Sequence, residues 1–179
     1  MQSEVMFAGF GGQGILLSAK ILAEAAMQAG HQVVWIPSYG PEMRGGTAYC
    51  TVVISDRPIG SPIIKNPMHL VAMNRPSLEK FAATIRPGGI ILINSTLIPV
   101  DSGRSDVDEL SIPVTEIARE VGNIRAANIV ALAAFVTRSR LVEGEHLRRC
   151  VAHEFARKPQ LLDVNLAAFE RGCAAAAGR

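Results

Sequence analysis

Short apolar runs and stretches of helical periodicity alternate along the chain. Val5-Met6-Phe7-Ala8 predicts a strand over about 4–9. Ile15, Leu16, Ala19, Leu22, Ala23 and Ala26 then recur at helical spacing, predicting a helix over 14–29 that Gly30 ends. A second strand is predicted over 31–36; strand, helix and strand joined this closely imply a parallel, right-handed crossover. A third strand over 47–55 places Ala48, Cys50, Val52 and Ile54 on one face and Tyr49, Thr51 and Val53 on the other. Further strands are predicted over 70–73, 90–94 and 110–114. Helices are predicted over 77–85 (capped by Asn74 or Ser77), 115–121, 126–138, 143–156 and 161–177. The stretch 95–108, broken by Pro99 and Gly103, is predicted as an excursion or flexible loop. No repeat or linker divides residues 1–179, so one domain is expected. Its class is a three-layer α/β/α Rossmann-like fold with a mostly parallel or mixed central sheet.

Two loops break the pattern. Gly9-Phe10-Gly11-Gly12-Gln13-Gly14 joins the first strand to the first helix and fits G-x-G-x-x-G in the right context. Glycines there leave no Cβ in the way, and free N–H groups at a helix start favour an anion, so a phosphate-bearing ligand is the first reading. A tight turn with no ligand forms from the same residues. A nicotinamide or flavin dinucleotide is disfavoured, because 31–36 runs into Pro37-Ser38-Tyr39-Gly40 with no carboxylate before Glu42. The second loop, 37–46, holds two prolines and four glycine or tyrosine positions around Glu42 and Arg44. It leaves the carboxyl end of the second strand, on the edge that also carries the glycine loop. Arg44 offers a planar fork to a phosphate or a partner's carboxylate, Glu42 can orient it, and Tyr39 can stack on a base or fill a partner's pocket. A solvated turn is the plainer alternative.

Composition narrows the class. Hydrophobic residues make up 49% and aromatics 5%, so the core is aliphatic, as suits a sheet covered by helices. Net charge is +2, too balanced to suggest nucleic acid or an anionic membrane. No basic-then-apolar leader and no membrane-spanning run is seen, and Cys50, Cys150 and Cys173 are scattered. A cytoplasmic, reduced protein without its own iron–sulfur cluster is expected. His146, Cys150 and His153 share a helix at i, i+4 and i+7 but lack a fourth ligand, so no metal is expected. Asn128, the internal polar residue of its helix, is expected to be buried and to satisfy backbone groups. The loops offer backbone amides, one Glu, one Arg and one Tyr, but little for proton transfer or nucleophilic attack; no catalytic residue is assigned.

The two loops together, G-F-G-G-Q-G and S-Y-G-P-E-M-R-G-G (38–46), resemble the gamma subunit of the 2-oxoacid:ferredoxin oxidoreductases. Val53-Ile54-Ser55, Pro58-Ile59-Gly60-Ser61-Pro62, Met73-Asn74-Arg75-Pro76-Ser77-Leu78 and Ala127-Asn128-Ile129-Val130-Ala131-Leu132 extend the similarity over nearly the whole chain. Among branches it looks most like the 2-oxoglutarate type, with the pyruvate, 2-oxoisovalerate and indolepyruvate types as alternatives. The resemblance implies a subunit inactive alone, in a complex that oxidatively decarboxylates an oxoacid to an acyl-CoA and reduces ferredoxin. It implies thiamine diphosphate and iron–sulfur clusters in partner subunits only: alpha, beta and a ferredoxin-like delta subunit. Coenzyme A is its implied ligand here, at Gly9, Gly11, Gly12, Gln13, Gly14, Tyr39, Glu42, Arg44, Gly45 and Gly46. Packing of the same loops against the alpha or beta subunit is the other reading. A stand-alone NAD- or FAD-binding module is the reading from another class, and the sequence leaves open whether the isolated chain forms a homo-oligomer through surfaces meant for partners.

Overall fold

The computed structural model describes residues 2–38, 47–61 and 63–178. Its elements are β1 (Gln2–Phe10), α1 (Ile15–Gln28), β2 (Gln32–Pro37), β3 (Thr47–Ser55), β4 (His69–Ala72), α2 (Arg75–Phe81), β5 (Ile90–Asn94), β6 (Asp108–Ile112), α3 (Val114–Glu120), α4 (Ala127–Ser139), α5 (Gly144–Phe155) and α6 (Pro159–Ala177). Single 3₁₀ turns follow α2 (Ala82–Thr84) and precede α4 (Ile124–Ala126). The predicted elements are all present, mostly within one or two residues of their expected ends. The exception is α2, which begins and ends earlier because Asn74 caps it, Oδ1 accepting from Ser77 N at 2.9 Å.

The sheet is mixed, in the order β2-β3-β1-β4-β5-β6. β1, β4, β5 and β6 pair in parallel, while β3 pairs antiparallel with both β1 and β2. β2 therefore runs in the same direction as β1, as expected, but β3 lies between them. The reason is legible in burial: Val52, Val53 and Ile54 are buried on both faces, which only an interior strand achieves. β2, none of whose six residues is buried, takes the edge and ends in a proline that needs no ladder partner.

The three layers are unequal. α1, α3, α4, α5 and α6 cover one face over a core that includes Phe7, Leu22, Val52, Leu92, Ile112 and Phe135. Among the described residues the other face is covered more thinly, by α2, its 3₁₀ turn, Ile85 and Ile98, packed on Met6, Ala8, Leu70, Ile91 and Ile93. The stretch between β5 and β6 is pinned, not free. Ile98 is buried, and Arg104 donates to the carbonyls of Ala82 and Ile85 at 2.9 and 3.1 Å. Ser102 donates to Glu109 through both its backbone N (2.8 Å) and its hydroxyl (2.6 Å). Arg138 forks onto Asp108 at 2.6 and 2.9 Å, tying α4 to β6 and holding that carboxyl below its ordinary range. Among the described residues no helix is long and apolar enough to cross a membrane.

Candidate functional site

Sheet register brings the stems of the two unusual loops together. β1 ends at Phe10, opposite Thr47, where the chain returns from the second loop into β3. Pro37, where the chain leaves β2 for that loop, lies opposite Cys50. Both loops therefore rise from one rim of the sheet. Tyr39, Glu42, Arg44, Gly45 and Gly46 lie outside the described residues; the stems on either side fix the rim from which they depart.

Within the first loop the glycines have different tasks. Gly9 belongs to β1 and is buried. A Cβ there would sit 2.6 Å from Gln13 Oε1 and 2.8 Å from Ile15 Cδ1, so Gly9 makes room for the loop and does not face outward. Gly11 and Gly12 are exposed, and Gly12 has φ +90° with open space where a side chain would stand. Gly14 has φ +75°, and its missing Cβ is replaced by the Asn128 amide, 2.6 Å away. These two positions need glycine on conformational grounds.

Gln13 is a strut. Its Oε1 accepts from Phe10 N at 2.7 Å and from Asn74 Nδ2 at 3.3 Å, while its Nε2 donates to Met73 O at 3.3 Å. The loop is thereby fastened to the end of β4 and the start of α2. Asn74, part of the Met73-to-Leu78 motif, thus caps α2 and braces the glycine loop at once. Asn128 behaves as its sequence position suggests, with Nδ2 donating to Gly14 O at 3.3 Å. Its own carbonyl accepts from Ser18 Oγ at 3.1 Å, which locks α4 against α1.

Beside the loop, on the helical side, lies a cleft of about 440 Å³. Gly12, Gly14 and Leu17 form one wall, the turn from Asn123 through Arg125 into Asn128 another, and Phe155, Leu161 and Asn165 the third. Arg125, Asn123 and Asn165 were not picked out from the sequence. Nothing in spacing joins the start of α6 to the start of α1; close packing of α4 on α6 does, with Gly172 so near Val130 that a Cβ would reach its carbonyl at 2.4 Å. A larger groove, about 600 Å³, runs over the other face of β1, β2 and β3, lined by Met6, Val34, Ile36, Tyr49 and Ile63 among others. Among the described residues its lining carries no ionisable group but the tyrosine, and it lies on the face of the sheet opposite the helical cleft.

Among the described residues neither reactive nor metal chemistry gathers here. Cys50 is buried and its thiol is pushed up to about 12 by that burial, so it stays protonated. Cys150 is buried while His153 is exposed, and His146 leans on the Glu143 carboxylate at 3.5 Å. Among the described residues no three histidine, cysteine or acidic side chains are grouped to hold a metal. β2 ends at Pro37 and Ser38 follows it, so among the described residues no carboxylate stands at the end of that strand to hold a ribose.

A family model described as pyruvate ferredoxin/flavodoxin oxidoreductase matches residues 4–175. The chain belongs to that family. In the pyruvate ferredoxin/flavodoxin oxidoreductase family, the ketoisovalerate oxidoreductase subunit VorA of Methanothermobacter thermautotrophicus is 43% identical over 169 residues, covering 94% of this chain and 35% of its own length. This chain thus spans about a third of that relative. The keto/oxoacid ferredoxin oxidoreductase gamma subunit of Geobacter sulfurreducens superposes with a TM-score of 0.85 at 32% identity, over 99% of both chains. The 2-oxoglutarate:ferredoxin oxidoreductase of Magnetococcus marinus, solved with 2-oxoglutarate, coenzyme A and succinyl-CoA bound, superposes with a TM-score of 0.90 at 26% identity, over 99% of this chain and 31% of that one. The family expected from the two loops is therefore the right one. The branch is not decided, since relatives named for ketoisovalerate and for 2-oxoglutarate both match.

Proposed function

We propose that this chain is the gamma-type component of a multisubunit 2-oxoacid:ferredoxin oxidoreductase, converting an oxoacid such as 2-oxoglutarate or 2-oxoisovalerate to its acyl-CoA with ferredoxin as electron acceptor. Its part is to present coenzyme A and to dock on partner subunits. Thiamine diphosphate and the iron–sulfur clusters belong to those partners, in keeping with three separate cysteines, two of them buried here. The observation that carries the reading is the shared rim: a glycine loop opening a long helix, braced by Gln13, beside the stems of a second loop. Such a rim binds anions through backbone N–H groups and dipoles, and its described residues offer no base or nucleophile to turn a substrate over. Gly11, Gly12, Gln13 and Gly14 are assigned to the pyrophosphate of coenzyme A, with Arg44 and Tyr39 of the second loop alongside. The likeness to a protein solved with coenzyme A supports the ligand.

Calorimetric titration tests it. The chain should bind coenzyme A and not NADH, and Gly12→Val should weaken coenzyme A at least tenfold. That substitution meets open space but strains a positive φ and crowds the approach to the loop, so the domain should stay folded. Saturable NADH binding without coenzyme A binding would replace this reading with a stand-alone dinucleotide module.

A further inference from the structure

The two edges of the sheet are guarded differently. β6, at one end, carries Asp108 and Glu109, and the stretch before it is tied to Glu109 through Ser102. Charged side chains of this kind keep an edge from pairing with another chain. β2, at the other end, reads Gln32-Val33-Val34-Trp35-Ile36-Pro37, with no charged residue. Trp35 stands 40% exposed on it.

The hydrogen-bond register shows which backbone groups β2 leaves open. Ser38 N donates to Tyr49 O at 3.1 Å, continuing the β2–β3 ladder by one bonded pair. Bonded pairs alternate along an antiparallel ladder, so Ile36, Val34 and Gln32 also turn their N–H and C=O toward β3. Val33 and Trp35 turn theirs outward, where no strand follows among the described residues. Pro37, next in that row, has no N–H to offer. The open row is therefore centred on Val34.

Such a row is its own complement. Antiparallel pairing about a two-fold axis at Val34 sets Val33 of each copy against Trp35 of the other, and every outward N–H of the row meets an outward C=O. On the helical side each Trp35 ring then covers a Val33, an aromatic and β-branched cross-strand pair. On the other side Val34 faces Val34. The axis is normal to the sheet, so the grooves edged by Val34 and Ile36 lie on one side and run into each other. No like charges meet, because the strand has none.

We propose that β2 is a self-association edge, through which two copies of this chain pair antiparallel about Val34 and join their sheets into one. A strand of another subunit would match the backbone row, but the reciprocal fit of Val33 and Trp35 belongs to a second copy. A six-residue edge makes a small interface, roughly 1,200 Å² or less in total, so the dimer should dissociate in the micromolar range.

Sedimentation equilibrium of the full chain from about 1 to 200 μM is the test, and the wild type should pass from monomer toward dimer across it. Val34→Lys and Val34→Glu each set like charges face to face on the axis and should move the midpoint up about tenfold or more. An equimolar mixture of the two variants should return it toward the wild-type value, because opposite charges then meet. In a Cys173→Ser background, with Cys50 and Cys150 buried, oxidised Val34→Cys should run as a covalent dimer. Gln32→Cys should not, since position 32 then faces position 36. A wild type that stays monomeric, or one midpoint shared by the wild type and both charge variants, would overturn the proposal. So would amide-exchange protection of Val33 and Trp35 in the assembled enzyme only, which would give the edge to another subunit.

Discussion

Gly14→Ala should lower the melting temperature by roughly 5–15 °C, the change expected in a domain of this size for a loss of about 2–4 kcal/mol. Two costs add. At φ +75° an alanine is held in the left-handed region, at about 1–2 kcal/mol. Its Cβ would also stand 2.6 Å from Cγ and Nδ2 of Asn128, so that side chain must leave and give up its bond to Gly14 O. Removing the amide should recover part of the loss: in an Asn128→Ala background the same substitution should cost less, with the left-handed penalty and the crowding by the Cβ retained at residue 128, 2.9 Å away, remaining. A four-cornered thermal denaturation cycle measures that coupling directly. Strict additivity of the two changes would show that Asn128 does not fill the space a Cβ would need.

Acid should destabilise the fold well above the range in which carboxylates titrate. His69 is buried, with Nδ1 accepting from Ile90 N at 3.0 Å across the β4–β5 junction and its ring against Phe135 at 5.4 Å. Burial first, and the Arg86 charge second, pull its pKa down from 6.5 to about 4. Between those values the unfolded chain binds a proton that the folded one refuses, so stability rises with pH through this window and falls as pH drops through it. A shift of that size corresponds to a loss on the order of 3 kcal/mol by pH 4. Asp108, held low by Arg138, adds its own loss as pH falls through the ordinary carboxylate range and below it, so it enters only at the acid end of this window. Urea midpoints measured from pH 7 to pH 4 should therefore slope downward in the wild type. They should be nearly flat in His69→Asn, whose Oδ1 keeps the bond to Ile90 N without the titration. Equal slopes in both proteins would exclude His69 as the cause.

Periodicity and loop chemistry carried most of the fold, and the misses share one origin. Element identity is written locally: alternation in 47–55, helical spacing in 14–29 and 126–138, punctuation by Gly30 and Pro37. Strand order is not local. That β3 would slip between β2 and β1 depends on Val52, Val53 and Ile54 being buried on both faces, a property of the assembled sheet. The site divides the same way. Gly12, Gly14 and Gln13 stand out in sequence because a turn needs them, and Asn128 because a polar residue interrupts an apolar helix. Gly9 fits the fingerprint yet proves to be a packing residue, since its neighbour is Gln13 and not solvent. Arg125 and Asn165 could not be found, for only the crossing of α4 and α6, drawn close at Gly172, carries them to the glycine loop.

The most direct measurement is oxoacid-dependent reduction of ferredoxin, assayed with coenzyme A present, for the purified chain alone and for the chain assembled with its partner subunits. A rim built to present a ligand and dock on partners predicts turnover in the assembled enzyme only, with its coenzyme A requirement raised by Gly12→Val. Sustained turnover by this polypeptide without companions would contradict it, because the rim would then have to contain a reactive centre.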